Sequence, residues 1–287
     1  MATVRNPIEW SAAQLILAKE TVAAVGDALG ERADPRAPAL PVRQIGLDDV
    51  RQSLVEGVRD FAAYRTDVIF LCLIYPVVGL VLARLASSYD MLPLVFPLAA
   101  GFALIGPLAG VGLYEISRRH EAGLPVSWRG DFAATRSPAF GKIMALGLLL
   151  VLTFVLWLAA AQGIYDATLG PEPPASISDF VRAVVTTAPG WTLIIVGCGV
   201  GFLFAALVLA AGLVSFPLLL DRDVPLSTAV MTSFRAASAN PLMTALWGLI
   251  VAAGLVIGTI PAFLGLVIIM PVLGHATWHL YRRLVPR

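Results

Sequence analysis

The amino-acid sequence predicts an all-α fold, a polytopic membrane helix bundle with six transmembrane helices and with amphipathic interfacial helices at the N-terminus and before spans. Three observations predict this fold. Of 287 residues, 58% are hydrophobic and only 14% are charged, whereas about a quarter of the residues in soluble domains are charged. The hydrophobic residues gather in long uncharged stretches, and the basic residues gather in alternate connections between them. Apolar surface on this scale needs a lipid bilayer as its solvent.

Length identifies the individual spans. A bilayer core of roughly 30 Å is crossed by about 20 helical residues. Six stretches meet or nearly meet that length, at about residues 67–86, 93–117, 142–165, 190–220, 242–260 and 262–281. The last two are expected to form a tight hairpin, because the segment that joins them carries a glycine, a threonine and Pro261 but no charge.

The distribution of lysine and arginine predicts the orientation, because short connections rich in these residues stay in the cytoplasm. Of the 20 basic residues, all but Arg84 and Arg182 lie in four regions that six spans would place on one side. Those regions are residues 1–66, 118–142, 221–241 and the tail after residue 281. This asymmetry predicts an even number of spans, with the N-terminus and the C-terminus both cytoplasmic.

Two amphipathic helices are predicted before the first span. In the first, apolar residues recur every seven positions, at Ile8, Leu15, Val22 and Leu29. In the second, five apolar residues share one helical face, namely Leu47, Val50, Leu54, Val58 and Phe61. The chain therefore divides into residues 1–43, a cytoplasmic helix with a Pro- and Ala-rich linker, and residues 44–287, a six-span membrane domain preceded by an amphipathic helix.

A short internal repeat accompanies three of the spans. Similar segments, FAAYRTD, FAATRSP and FRAASANP, begin at Phe61, Phe132 and Phe234. Each leads into an outward-going span, which indicates an interfacial helix at each place. The likeness reflects either a triplication or the general preference for small residues, an arginine and a cap where a chain returns into the membrane.

Polar residues at the cytoplasmic ends of the even-numbered spans form a candidate polar cluster. Its members are Glu115, Arg118, Asp221, Arg222, His275, Trp278 and His279. Ionisable groups that share one membrane depth point to a functional site. His275 and His279 are four residues apart, so they share one helical face from which two imidazoles could bind a metal or a haem edge. A polar network that locks the helices, or anchoring of the span at the interface by Trp278 and its neighbours, would use the same residues.

Composition and motifs disfavour several classes of function. A formal net charge of +1 provides no basic field for nucleic acid. Cys72 and Cys198 lie within apolar runs, which disfavours a disulfide framework or a cysteine metal site. The sequence contains no zinc-protease, nucleotide-binding or serine-hydrolase motif. No catalytic residue and no cofactor are therefore predicted, apart from the haem or copper alternative at the two histidines.

Three segments carry a resemblance to a known family. GLYEISRRHEAG, SFPLLLDRDV and PVLGHATWHLYRR resemble a bacterial family of predicted integral membrane proteins, a domain of unknown function, some of whose members carry a cytochrome c oxidase subunit label. The resemblance covers about residues 45–285. It implies a multi-pass protein of the bacterial inner membrane in which the polar residues above occupy the family's motif positions. A haem-copper catalytic subunit would have more histidine ligands than the three histidines of this chain.

Three functions are compatible with these observations. The first is a non-enzymatic accessory, assembly or scaffold subunit whose cytoplasmic amphipathic helices contact a membrane-protein partner. The second is a small transporter or channel, which prolines and glycines within the spans would suit. The third is a redox subunit that binds haem or copper through His275 and His279. All three share the lipid bilayer as a partner.

Overall fold

The described residues are entirely helical or irregular, in agreement with the all-α prediction. A computed structural model describes residues 7–31, 39–72, 76–77, 79–80, 84, 93–98, 106, 110–125, 139–172 and 174–287, without the side chains of residues 7–18 and 65–72. The longer helices of this part are α1 (Pro7–Gly30), α2 (Leu47–Cys72), α3 (Val111–Glu121), α4 (Ala139–Thr168), α5 (Ile177–Thr186), α6 (Ala188–Asp221), α7 (Leu226–Ala239), α8 (Pro241–Thr259) and α9 (Leu266–Leu284).

Three helices of the described part, α4, α6 and α8, are long and apolar enough to cross a membrane, and they match the predicted third, fourth and fifth spans. Their mean hydropathies are 2.6, 2.7 and 2.0. Most of this apolar length is not buried inside the protein, since the buried share is 33% in α4, 6% in α6 and 11% in α8. Such large outward apolar surfaces are typical of a membrane-embedded protein.

The other three predicted spans have a different outcome. Only parts of residues 67–86 and 93–117 are described: the first stretch begins as the end of α2, and the end of the second stretch forms the start of α3. Residues 73–75, 78, 81–83, 85–86, 99–105 and 107–109 lie outside the described residues. The predicted span 262–281 coincides with α9, whose C-terminal half carries two histidines and two arginines that lower its hydropathy. The described part therefore shows three helices of spanning character, not clearly six.

The last two predicted spans are joined by the expected tight turn. Helix α8 ends at Thr259 and α9 begins at Leu266. Ala262 and Phe263 adopt φ values of 50° and 67°, a left-handed conformation that costs energy for residues with a Cβ atom. Close approach of the two helices makes this turn possible, because a Cβ atom added to Gly265 would lie only 2.8 Å from the Cα atom of Gly258.

At one end of the bundle, the first residues of some helices contact the last residues of others. The Nζ atom of Lys142, at the start of α4, lies 2.9 Å from Asp223, just after the end of α6. The side chain of Asn240, at the start of α8, accepts a hydrogen bond from the Ile45 amide, and the Arg43 amide donates to the carbonyl of Leu284 in α9. Helices α4 and α8 therefore start where α6 and α9 end. Long helices that follow one another along the chain, α4 and α6 or α8 and α9, are thus antiparallel.

Helix α2 packs against α9 at backbone contact, and Gly57 makes this possible. A Cβ atom added to Gly57 would lie 2.7 Å from the Cβ atom of Ala276 and 2.7 Å from the carbonyl oxygen of Val272. Small residues permit this close approach between membrane helices. The buried face of α2 includes Ser53 and Asp60, on either side of Gly57 along the helix.

The two predicted amphipathic helices are present, and their buried faces agree with the predicted ones only in part. In α2, Val50 is buried and Leu54 and Phe61 pack against the core, whereas Leu47 is 65% exposed and Val58 is 50% exposed. In α1, Ala28 is buried, and Ala24 packs against Gly141 of α4. Val22 of the predicted apolar stripe is 73% exposed. The closest helix contacts are made here by small residues, and some of the larger apolar side chains stay outside.

Sequence reasoning did not predict α5, which lies between α4 and α6. The Ser176 hydroxyl caps its N-terminus by accepting a hydrogen bond from the Asp179 amide, as serine often does at this position. None of its residues is buried, and the Phe180 ring contacts Tyr165 of α4. A short amphipathic helix between two spans has too little length to be recognised by hydropathy.

We expect Gly57→Ala to destabilise the protein, because the added methyl group meets the α9 backbone. Overpacking of this kind costs about 1–3 kcal/mol. The matched control is Gly26→Ala, since Gly26 lies within α1 with nothing within 4 Å of an added Cβ atom, and it should stabilise by about 0.5–1 kcal/mol. Thermal unfolding in detergent measures both, and equal effects of the two substitutions would contradict the close contact.

Candidate functional site

The carboxylate of Asp60 is the centre of a buried polar cluster. Asp60 is 3% exposed and is held by α3 and α9. Its Oδ2 atom accepts a hydrogen bond from the Ser117 hydroxyl at 2.6 Å and lies 2.9 Å from Nε2 of His279. Its Oδ1 atom lies 2.8 Å from Nδ1 of His120. Both carboxylate oxygens are therefore satisfied, which a buried charge requires.

Ser117 links the third histidine to the same carboxylate. Its Oγ atom lies 2.8 Å from Nδ1 of His275, and both Ser117 and His275 are fully buried. We call Asp60, Ser117, His120, His275 and His279 the Asp60 cluster. It contains every histidine in the chain and joins three helices.

A second carboxylate extends this cluster towards the chain end. Oε2 of Glu56 lies 3.3 Å from Nδ1 of His279. Both oxygens of Glu56 also accept hydrogen bonds from Arg283 at 2.9 Å, a bidentate pairing that guanidinium geometry favours. His279 therefore lies between two carboxylates of α2.

The remaining predicted residues form two further groups. Within α3, Glu115 is 3% exposed and receives two hydrogen bonds from Arg118, at 2.7 and 2.8 Å, with Arg119 at 2.7 Å. The hydrogen-bond donors for this carboxylate thus lie about one turn further along its own helix.

The third group ties the end of α6 to α9. Asp221 accepts hydrogen bonds from the Tyr281 hydroxyl at 2.7 Å and from Arg282 at 3.3 Å. Arg222 donates to the carbonyl oxygen of Pro286 at 2.6 Å. Trp278 donates to Glu121 at 3.0 Å, and Glu121 also binds Arg282. These contacts hold the last turns of α9 against both α3 and α6.

The seven predicted residues therefore lie at one end of the bundle but divide among three groups. His275 and His279 share a helical face, yet each ring is hydrogen-bonded to a different neighbour, Ser117 or Asp60. Within the described ranges, no set of three or more His, Cys, Asp or Glu side chains is placed to hold a metal ion. Binding of haem or copper by the two histidines stays a prediction.

Asp60 is the residue that sequence reasoning missed. It lies on one helical face with Val50, Ser53 and Gly57, spaced by three or four residues. A search for periodic apolar residues does not detect this face, because two of its four members are polar and one has no side chain. The sequence pattern that could have revealed it is a helical face with two small residues, Ser53 and Gly57, followed by an acidic residue just before a predicted span.

Hydrogen bonding determines the charge of the carboxylates in α2. Burial raises the pKa of Asp60, but hydrogen bonds from His279, Ser117 and His120 outweigh it, so that the pKa falls from 3.8 to about 2. The pKa of Glu56 is also lowered, chiefly by the hydrogen bonds from Arg283. Both groups are therefore anions at neutral pH.

We expect the stability of the fold to fall in acid because of Asp60. Its folded-state pKa lies below the ordinary value, so its contribution is fully present above about pH 4 and is lost as the pH falls towards about 2. Denaturation in detergent at several pH values should show this loss in the wild type and less of it in Asp60→Asn. Asp223→Asn is the control, because Asp223 pairs with Lys142 at a largely exposed position. A wild-type acid dependence identical to that of Asp60→Asn would contradict the assignment.

Comparison with known proteins agrees with the resemblance seen in the sequence. No curated protein and no solved structure matches the chain significantly. A family model described as "Predicted integral membrane protein (DUF2189)" matches residues 95–221. That segment includes α3 to α6, while the histidines of α9 lie beyond it, and the description names no oxidase. The resemblance to a family of predicted integral membrane proteins of unknown function is thus confirmed, and over residues 95–221 the chain is similar to that family.

Proposed function

We propose that the chain is a six-span protein of the bacterial inner membrane that serves as a non-enzymatic accessory, assembly or scaffold subunit, with both termini in the cytoplasm. The observation that carries the proposal is the division of the molecule into a strongly ion-paired end and long outward apolar helices. The ion pairs join α2, α3, α6 and α9, so they act as a lock between helices. A locked bundle with exposed helical faces at its polar end is suited to holding a partner.

The directions of the helices support an even number of crossings. Helix α3 ends at the polar end, where α4 begins, and α6 and α9 also end there. Helix α2 starts at the same end, where Asp49 lies 3.8 Å from Arg283 of α9. The opposite directions of α2 and α3 are compatible with the two spans predicted at 67–86 and 93–117. With α4, α6, α8 and α9, the proposed total is six.

The first test of this threading uses reporter fusions. Alkaline phosphatase, which is active only outside the cytoplasm, should be active when fused after residue 90 and after residue 172. It should be inactive when fused after residue 126 and after residue 235, where a fluorescent-protein fusion should instead be bright. Phosphatase activity after residue 126, or its absence after both residues 90 and 172, would refute six spans.

The outer faces of α1 and α2 support a partner-binding role. Both helices are held to the bundle, α1 through Ala24 against Gly141 and α2 through Gly57 against Ala276. Some of their large apolar residues nevertheless point outward, as the exposures of Val22 and Leu47 show. Preorganised apolar faces bind with little loss of conformational entropy. A membrane protein in the same bilayer, reached from the cytoplasmic side, is the partner that fits this position.

Photo-crosslinking tests this partner surface. A photoreactive residue in place of Leu47 should give one discrete protein adduct in intact cells, whereas the same residue in place of Phe202 on α6 should contact lipid. Phe202 is a suitable control because it is a large, 71% exposed residue on a helix that spans the membrane. The paired change Leu47→Asp and Val58→Asp should abolish copurification of the adduct partner without altering the unfolding temperature. Identical adduct patterns at Leu47 and Phe202 would count against a dedicated surface.

The transporter and redox alternatives use other parts of the molecule. A transporter would need a continuous path through the bundle, and a redox subunit would need ligands for haem or copper. Both stay predictions, and the contacts described here favour the scaffold because the polar side chains are engaged with one another across helices.

A further inference from the structure

The hydrogen bonds of the Asp60 cluster connect a buried ring to an exposed one. His275 is fully buried, whereas the side chain of His120 is 49% exposed. Between them lie the Ser117 hydroxyl, 2.8 Å from His275 and 2.6 Å from Asp60, and the Asp60 carboxylate, 2.8 Å from His120. Every one of these distances is short enough for transfer of a proton along a hydrogen bond.

The donors in this chain of hydrogen bonds can be assigned from the carboxylate outward. An ionised carboxylate only accepts hydrogen bonds, so the Ser117 hydroxyl donates to Asp60. Having used its one hydrogen, Ser117 must accept from His275, whose Nδ1 atom therefore carries a hydrogen. A neutral imidazole has one N–H group, which leaves a free lone pair on Nε2 of His275. The described residues provide this buried Nε2 atom with no hydrogen-bond partner.

We propose that His275, Ser117 and Asp60 form a proton relay between the interior of the helix bundle and the exposed ring of His120. A proton that binds to Nε2 of His275 makes the ring release its Nδ1 proton to Ser117. Ser117 passes its own hydroxyl proton to Oδ2 of Asp60. The result is a neutral His275 with hydrogen on Nε2, an unchanged serine and a protonated Asp60, so the added charge neutralises the carboxylate.

Release from Asp60 uses the exposed histidine. At rest Nδ1 of His120 donates to the ionised Asp60, so the half-exposed ring must first move its hydrogen to Nε2 by exchange with water. After the carboxyl group rotates so that Oδ1 carries the proton, Nδ1 of His120 then accepts it. The resulting imidazolium releases the Nε2 proton to water and returns to the neutral form with hydrogen on Nδ1. One proton has then moved from the bundle interior to the surface, and no oxidant or other reactant takes part.

Other charged and titratable groups lie around the relay. Among the described residues these are Glu56 and Tyr64 on α2, and His279 and Arg283 on α9. The sequence of α8, which also contacts α2, contains none. Nε2 of His279 lies 2.9 Å from the same carboxylate oxygen that the relay protonates.

Nitrogen-15 NMR of the full-length protein in lipid nanodiscs tests the relay, because three labelled histidines give a simple spectrum. At neutral pH, His275 should carry its hydrogen on Nδ1 and none on Nε2. Its Nδ1 hydrogen should exchange rapidly with water although the ring is buried. In Asp60→Asn the exchange should be slower by about a hundredfold or more, because the amide cannot take up the proton.

Two further variants keep the test decisive if Asp60→Asn does not fold. His120→Gln changes a half-exposed ring and should slow the exchange in the same direction. Ser53→Ala is the matched control and should exchange at the wild-type rate. Ser53 is buried on the same face of α2, but its hydroxyl donates to the Asp49 carbonyl, at 2.8 Å, and not to the Asp60 cluster. Hydrogen on Nε2 of His275 in the wild type, or wild-type exchange in both Asp60→Asn and His120→Gln, would overturn the proposal.

Discussion

The burial of one carboxylate organises the polar end of this molecule. An ionised Asp60 inside the bundle would cost several kcal/mol if it lacked donors, and it obtains them from two other helices, through Ser117, His120 and His279. The donors reach it only because Gly57, one turn earlier, lets α2 approach the backbone of α9. The close helix contact and the hydrogen bonds therefore depend on each other, and together they place α2, α3 and α9 in one unit.

Charge and hydropathy are separated along the axis of the bundle. The arginines that would hold the connections in the cytoplasm also neutralise carboxylates there, as Arg283 does for Glu56 and Arg118 for Glu115. Partly buried, bidentate pairs of this kind contribute more than exposed ones. Away from this end, α4, α6 and α8 present apolar side chains outward. The molecule is thus locked by polar contacts at one end and solvated by lipid along its length.

The proposed scaffold and the proposed relay use opposite faces of α2. Leu47 and Val58 lie on the outer face, and Asp60 lies on the inner one. A helix with its side chains is about 10–12 Å across, so a partner on the outer face would be close to the carboxylate whose charge the relay changes. The backbones of α2 and α9 touch at Gly57. A change in the hydrogen bonds of Asp60 would therefore shift the position of the whole of α2. This gives a physical route by which protonation could alter partner binding.

Local patterns in the sequence were sufficient for several features of the fold. Helical character, the lengths of α4, α6 and α8, the short turn before α9 and the common face of His275 and His279 all follow from composition and the 3.6-residue period, which act over a few turns of chain. The pairing of helices does not follow from such patterns. Ser117 and His279 lie 57 and 219 residues from Asp60, and they meet it because small residues allow particular backbones to touch. By itself the sequence determined which long segments are helical and apolar, though not the short α5, since these properties are local. Only the tertiary structure decided which side chains satisfy the buried charge, since that depends on contacts between helices distant in the chain.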